Sequence, residues 1–464
     1  MQKQHKDILR GVVTALRQRL GPDARIYYRH RPKNTSRKAG NIADFVTRWG
    51  GAYPQMVVLD ADSLMTGHAI VTLAQRMEAD PDSGIIQTLP LIINRNTLFA
   101  RVQQFAARIY GPVIAAGLSA WMGRDGNYWG HNAIIRTAAF AAHCGLPDLR
   151  GKPPFGGHIL SHDFVEAALI RRGGWHVRIA DDLGGSYEEA PPTLPDFLKR
   201  DRRWCQGNLQ HMRLLGTHGL HPLSRLHLLN GIMAYMASPL WFAFILVGIG
   251  AALETRFQLP VYFFPDRTPY PVWHIIDPEL AADVFAATMG FLLMPKLFGW
   301  LAICFNRRLA ERFGGVRKAL GSVLCETVIS ALLAPLHMLF QSRFVFNVFA
   351  GGDSGWNTQS RDDVGTPWRE AWARHRNHCI TGLVLAALAY AVYPGLLLWM
   401  SPAIVSMVFA APLSVLTSRP NSSSSSLRVR RVSSRVSCRI AAITPSASIR
   451  MPASSVATAS GWVM

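Results

Sequence analysis

Charge is scarce in this sequence and acid scarcer. Charged residues make up 17% of 464, and 29 Asp and Glu face 49 Lys and Arg, for a formal net charge of +20. Cysteine is sparse as well: Cys144, Cys205, Cys304, Cys325, Cys379 and Cys438 include no Cys-x-x-Cys pair, which excludes a disulfide framework and a thiolate zinc site. Met1–Gly21 is basic and amphipathic and lacks the apolar core followed by small residues that marks a signal peptide. No nucleic-acid motif accompanies the positive charge, and seven arginines lie in Ser418–Met464, so nucleic acid is not an expected partner. What is abundant is apolar. With 49% hydrophobic residues and a mean hydropathy of +0.12, the chain is apolar for a soluble protein but too polar to lie entirely in a membrane, so two unlike parts are averaged.

Residues 1–229 alternate β-rich runs with amphipathic stretches, the α/β pattern. Strands are expected at Arg25–His30, Met56–Asp60, Gly84–Leu91, Trp129–Arg136 and Trp175–Ala180, and helices at Thr66–Ala79, Thr97–Ile114 and Asp163–Arg172. Such alternation predicts a mostly parallel sheet. Residues 230–417 differ. Gly231–Leu253 and Ile380–Met400 carry no charge and Val284–Phe305 carries only Lys296, each long enough to cross a hydrocarbon core of roughly 30 Å. Arginines in the loop after the second of these spans place that loop and the α/β domain in the cytoplasm. Ala319–Phe340 is also long, but Ser322, Glu326, Ser330, His337 and Gln341 share one face. That face predicts an interfacial helix over 319–350, the alternative being a span whose polar stripe meets its neighbours. Ser418–Met464, with five consecutive serines and no acid, reads as a disordered basic tail.

The sharpest chemical signal is Asp60-Ala61-Asp62, two carboxylates at the end of an apolar run. Both can reach one hard cation, and oxygen ligands suit Mg²⁺ or Mn²⁺ bridging to a diphosphate; a solvated turn or cap is the structural alternative. Asp163, in Ser161-His162-Asp163 before a helix, either complements the helix N-terminus beneath a Ser161 cap or acts as a general base. Arg200-Asp201-Arg202-Arg203-Trp204 is either a charged interfacial face or a diphosphate clamp beside a stacking indole. Lys38, in Lys38-Ala39-Gly40-Asn41, offers phosphate a cation or simply begins a helix.

Taken together, these motifs resemble the processive family-2 glycosyltransferases. MVVLDADSLMTG (56–67), YWGHNAIIR (128–136), ILSHDFVEAALIRRGGW (159–175), SYEEAPP (186–192), KRDRRWCQGN (199–208) and WNTQSRDDVGTPWREA (356–371) carry the likeness, which covers residues 24–418 and is most specific for bacterial members that build osmoregulated periplasmic glucans. The resemblance implies a partial GT-A (Rossmann-like) domain followed by an α-helical transmembrane region in the bacterial inner membrane. It implies UDP-glucose as donor, a growing β-glucan as acceptor, and Mg²⁺ or Mn²⁺. Asp60 and Asp62 would hold metal and nucleotide with Lys38 and Arg202; Asp163 would be the base, Arg203 the leaving-group clamp and Trp204 an acceptor support. His131 and Asn132 would line the acceptor side. Trp356, Gln359 and Arg361 would belong to a gating loop over 351–376, and an acyl carrier protein and a periplasmic glucan-processing protein are implied partners.

Three departures from the family pattern accompany the likeness. Arg200 occupies the glutamine position of Gln-x-x-Arg-Trp, the family's first βα unit and amino-terminal membrane helices would precede residue 1, and the tail after Ser418 no longer follows the pattern. A fragment with little activity is therefore expected. A cellulose- or curdlan-type synthase, and a membrane scaffold without catalysis, are the other readings.

Overall fold

The structure, a computed structural model, describes residues 2–21, 23–257, 278–355 and 365–420. After α1 (Gln2–Leu20) and α2 (Arg37–Trp49) come β1 (Gln55–Val58), β2 (Leu64–Met65), α3 (Gly67–Ala79), β3 (Ser83–Thr88) and β4 (Leu91–Ile92). There follow α4 (Leu98–Ile109), α5 (Gly111–Met122), β5 (Ala133–Arg136), α6 (Thr137–His143), α7 (His162–Arg172), β6 (His176–Ala180), β7 (Ser186–Glu188) and α8 (Leu194–Gln210). One sheet has the order β1-β5-β3-β6 and a smaller one the order β2-β7-β4. Successive residues of β3 feed opposite layers. Ile85 joins Ile135, Ile170 and Val177 on one side, while Ile86 joins Leu73, Met77 and Ile134 on the other, as the period of a strand requires.

Three sequence expectations change here. The larger sheet is mixed rather than mostly parallel, because β5 runs antiparallel to both β1 and β3 and only β3–β6 is parallel. Apolar patterning reports burial, not direction. Arg25–His30 pairs with no strand among the described residues; Arg29 instead donates to the Asn41 carbonyl of α2 at 2.9 Å, and Tyr27 and Tyr28 lie against Arg17 and Arg10 of α1. Thr97–Ile114 divides at Tyr110 into α4 and α5, since Pro112 has no N–H and its ring crowds the carbonyl four residues back.

The helical region comprises α9 (Pro222–Phe257), α10 (Pro278–Cys304), α11 (Arg307–Arg312), α12 (Val316–Phe349), α13 (Trp368–Val392), α14 (Pro394–Val408) and α15 (Ala410–Ser418). The expected boundary at residue 229 falls inside α9. Among the described residues, 222–257, 282–304 and 316–349 are long and apolar enough to cross a membrane, with α14 and α15, bent by 61°, a fourth if they act as one span. Ile380–Met400 is not one span: α13 stops at Val392 and Tyr393 is extended, the conformation that a following proline favours.

Although α12 has the length to cross, both its ends meet the α/β domain. Ala319 and Val323 pack with Val102 and Phe105 of α4, and Val345 and Val348 with Cys205 and Leu209 of α8. Its polar stripe faces that domain too, whereas Leu324 and Val328 on the other side are each 59% exposed. At the chain's far end, order extends past the expected tail boundary, because Thr366 donates its N–H to Ser418 Oγ at 2.8 Å and Thr97 bridges Pro420. The rest of the expected tail, 421–464, lies outside the described residues.

One buried carboxylate ties these layers. Lys296 Nζ and Tyr110 Oη each donate to Glu326 Oε2 at 2.8 Å, and Ser330 Oγ donates to Oε1 at 2.7 Å. Lys296→Met strands that charge and is expected to cost about 3–5 kcal/mol in unfolding measurements, with Lys296→Met/Glu326→Leu recovering most of the loss.

Candidate active site

Seven of the side chains singled out by motif converge on one cleft of about 2110 Å³: Lys38, Asp60, Asp62, His131, Asp163, Arg203 and Trp204. Asp60 and Asp62 stand just past the end of β1, in a turn closed by the Asp60 N–H donating to Ser63 Oγ at 3.1 Å. Lys38, on the first turn of α2, donates to Asp60 Oδ1. Burial by itself would raise the Asp60 carboxyl, but Lys38 and His131 outweigh it and hold the group below the usual carboxylate range. Across the cleft, Glu188 at the end of β7 lies 3.4 Å from His131 Nε2. Burial pushes its carboxyl up despite His131 and Arg200, with Asp62 and Asp60 adding to the rise.

Asp163 occupies the first turn of α7 and lines the same cleft. Ser161 does not cap this helix with its side chain. It is wedged under α8, where a Cβ at Gly207 would stand 2.3 Å from Ser161 Oγ. Gly130, at φ 95°, lets the chain before His131 approach the Asp163 carboxylate, which a Cβ there would meet at 3.1 Å. No hydrogen bond or ion pair occupies the Asp163 carboxylate among the described residues. Just below, His162 Nδ1 is 3.0 Å from Glu166 Oε1, both side chains buried. Burial lowers His162, but Glu166 and Asp163 together raise it above its ordinary value.

Helix α8 begins with Thr193 Oγ1 accepting from the Asp196 N–H at 3.3 Å, and its period sorts the Arg200–Trp204 motif by face. Arg200, Arg203 and Trp204, spaced i, i+3 and i+4, all line the cleft. The Arg200 guanidinium lies 4.3 Å over the Trp204 ring, which remains 42% exposed. Burial lowers Arg203, and the like charges Arg37 and Arg200 add to that. Asp201 points the opposite way, buried, accepting from Tyr235 Oη at 2.9 Å and Gln341 Nε2 at 3.0 Å. Ser238 Oγ in turn donates to Gln341 Oε1 at 2.6 Å, so one carboxylate joins α8 to α9 and α12.

Lys38, Asp60, Asp62, His131, Asp163, Arg203 and Trp204 are thus brought together. Two expected residues are not. Asn132 is fully buried at φ 52° with Nδ2 donating to Ser186 Oγ at 2.7 Å and to the Tyr187 carbonyl at 3.2 Å, so it joins the two sheets instead of lining the acceptor side. Arg202 falls on another face of α8 and reaches the Asp353 carbonyl at 3.4 Å. The start of the expected gating loop does approach the cleft: Ser354 donates its N–H to Gln206 Oε1 at 2.7 Å, and Asp353 and Gly355 line the mouth. Trp356, Gln359 and Arg361 lie outside the described residues. Arg200, noted in the sequence only as part of the Arg200–Trp204 motif and as a departure from the family pattern, joins the site by helical spacing, and Glu188 joins it without any local mark. Asp60 and Asp62 supply hard oxygen donors that fit Mg²⁺ or Mn²⁺, with Lys38 as a cation able to turn from Asp60 to phosphate.

Residues 56–264 match the family model of glycosyl transferase family group 2. Glucans biosynthesis glucosyltransferase H of Shewanella sp. (strain W3-18-1), and that of Shewanella putrefaciens (strain CN-32 / ATCC BAA-453), are each 56% identical over 402 residues, which is 87% of this chain and 55% of theirs. The protein of the same name from Shewanella baltica (strain OS223) is 54% identical over the same length. The chain spans about half the length of these curated relatives.

Two measurements test the site's framework. Asp201→Ala leaves the Tyr235 hydroxyl and Gln341 amide unsatisfied and is expected to destabilise by about 1–3 kcal/mol, with Asp201→Asn, which keeps an acceptor, milder in thermal unfolding. Because His162 is raised in the fold, its protonated form stabilises in full below its unfolded pKa of about 6.5, and this is lost as pH rises through the higher folded value. The wild-type Tm is accordingly expected to fall more between about pH 6 and about pH 9 than that of His162→Gln.

Proposed function

The chain carries a domain of glycosyltransferase family 2, and from that premise we propose that it transfers glucose from UDP-glucose onto a growing β-glucan with inversion at the anomeric carbon. The observation that carries the proposal is the meeting of Asp60, Asp163 and Arg203, from separate stretches of sequence, in one cleft beside an open indole. An acceptor hydroxyl lying against Trp204 attacks the anomeric carbon; Asp163 takes its proton, the bond from that carbon to the diphosphate oxygen breaks, and UDP leaves with the electron pair. Arg203 offsets the negative charge growing on the departing diphosphate, and Lys38 stands ready on the other side. Bound between Asp60 and Asp62, Mg²⁺ or Mn²⁺ would supply Lewis-acid stabilisation of that same charge.

His131, tied to Glu188, is the side chain nearest in character to an acceptor ligand, and Arg200 takes the place where related enzymes carry glutamine. Stacked on Trp204, Arg200 holds the indole by its face instead of leaving an amide to bond the sugar. Helices α9 and α10 support an inner-membrane enzyme whose α/β domain faces the cytoplasm, with α12 in the plane of the interface beneath it. The loops between α9 and α10 and after α10 carry the charge bias that supports this orientation.

In an assay of UDP release with Mg²⁺, Asp163→Asn is expected to lower the rate by about 10²–10⁴ while leaving UDP binding in place, and Arg203→Ala by about 10²–10³. Unchanged turnover in Asp163→Asn would overturn the assignment of the base. Product made from UDP-glucose and then subjected to linkage analysis separates this reading from a cellulose- or curdlan-type synthase.

A further inference from the structure

Where the α/β domain meets the membrane region, α4 and α11 are locked together by apolar contact. Phe105 of α4 meets Phe313, which closes α11, edge to face at 6.0 Å, and Val102, Ile109, Ile303 and Ala310 complete the cluster. One helical turn beyond Phe105 stands Arg108, and Arg312 immediately precedes Phe313. Arg108 is half-buried, its Nε has no hydrogen-bond partner, and no ion pair reaches it among the described residues. Burial lowers this guanidinium; Tyr187 opposes that and the neighbouring cation Arg312 adds to it. A partly desolvated cation with a second cation beside it and no carboxylate is costly unless an anion joins them.

The surroundings specify the anion. Arg307, Arg308, Arg317 and Lys318 are exposed on the same elbow, and its only acid, Glu311, is engaged by Arg307 at 3.3 Å. Two residues before Arg307, Phe305 is 88% exposed. A free phosphate would satisfy the arginines and leave this apolar flank in water. A phospholipid satisfies both, since its phosphate meets cations and its acyl chains cover apolar side chains. We infer that Arg108 and Arg312 form a binding site for the phosphate of an anionic phospholipid headgroup, fed by the exposed basic residues of the α10–α12 elbow. The site rests on the reading of α9 and α10 as membrane spans. Because Arg108 belongs to the α/β domain and Arg312 to the membrane region, the lipid ties one to the other, a role that the transfer chemistry does not require.

The test titrates the detergent-solubilised full chain with phosphatidylglycerol, phosphatidylcholine and inorganic phosphate, counting bound ligand by native mass spectrometry. Phosphatidylglycerol is expected to bind in preference to phosphatidylcholine, with an affinity that falls as salt rises. Arg108→Gln and Arg312→Gln should each weaken it about fivefold. Arg312 is exposed, so Arg312→Gln is expected to fold even if the half-buried Arg108 does not tolerate change. Equal binding of phosphatidylcholine, wild-type affinity in Arg312→Gln, or equal occupancy by inorganic phosphate each overturns the site. The span reading fails separately, by release of the chain from membranes in alkaline carbonate. A chain that stays in the membrane and shows no phosphatidylglycerol preference overturns the lipid site alone.

Discussion

Helix α8 must serve two environments at once, and the buried carboxylate of Asp201 is what binds it to both. On one face Arg200, Arg203 and Trp204 line the open cleft; on the other, Leu198, Cys205 and Leu209 need apolar cover. A carboxylate between these faces is tolerable only if its oxygens are hydrogen-bonded. Tyr235 and Gln341 meet that need, and in doing so they set where α9 and α12 sit relative to the cleft. The position of the arginines over the cleft is thus decided by hydrogen bonds that belong to the helical region.

The cleft itself is organised as opposed charges with unequal burial. Asp60 is held in its charged form by Lys38 and His131, while Glu188, a short distance away across the site, is pushed toward its neutral form by burial and by the two aspartates. Arg203 is crowded by Arg37 and Arg200, which favours an incoming anion over the empty arrangement. Asp163 lines the same cleft without a hydrogen-bond partner among the described residues and close to the Gly130 backbone, where a larger residue would meet it.

Much of this was legible from residue pattern. Asp60, Asp62, Asp163, Arg203 and Trp204 each stand where a strand end, a helix start or a helical face placed them, because their chemistry is tied to local geometry. Asn132 and Arg202 misled for a related reason. Both adjoin residues that do face the cleft, His131 and Arg203, but a step of one residue turns a side chain roughly 100° on a helix, and at Asn132 the left-handed backbone conformation carries the side chain inward, onto Ser186. Glu188 could not be foreseen, since its place depends on β7 pairing with β2 and β4, strands of two residues each whose periodicity is too short to read.

By itself the sequence determined the division into an α/β part and an apolar helical part, the strand-end carboxylates and the helix carrying Arg203 and Trp204, because local propensity, periodicity and charge depend on neighbours in the chain. Only the tertiary structure decided the antiparallel course of β5, the break of α13 from α14 beside Pro394, the lie of α12 against the α/β domain and the half-buried place of Arg108. Each of these depends on which distant surfaces pack together and which buried polar groups find partners, and neither is encoded in the order of residues over a single turn or strand.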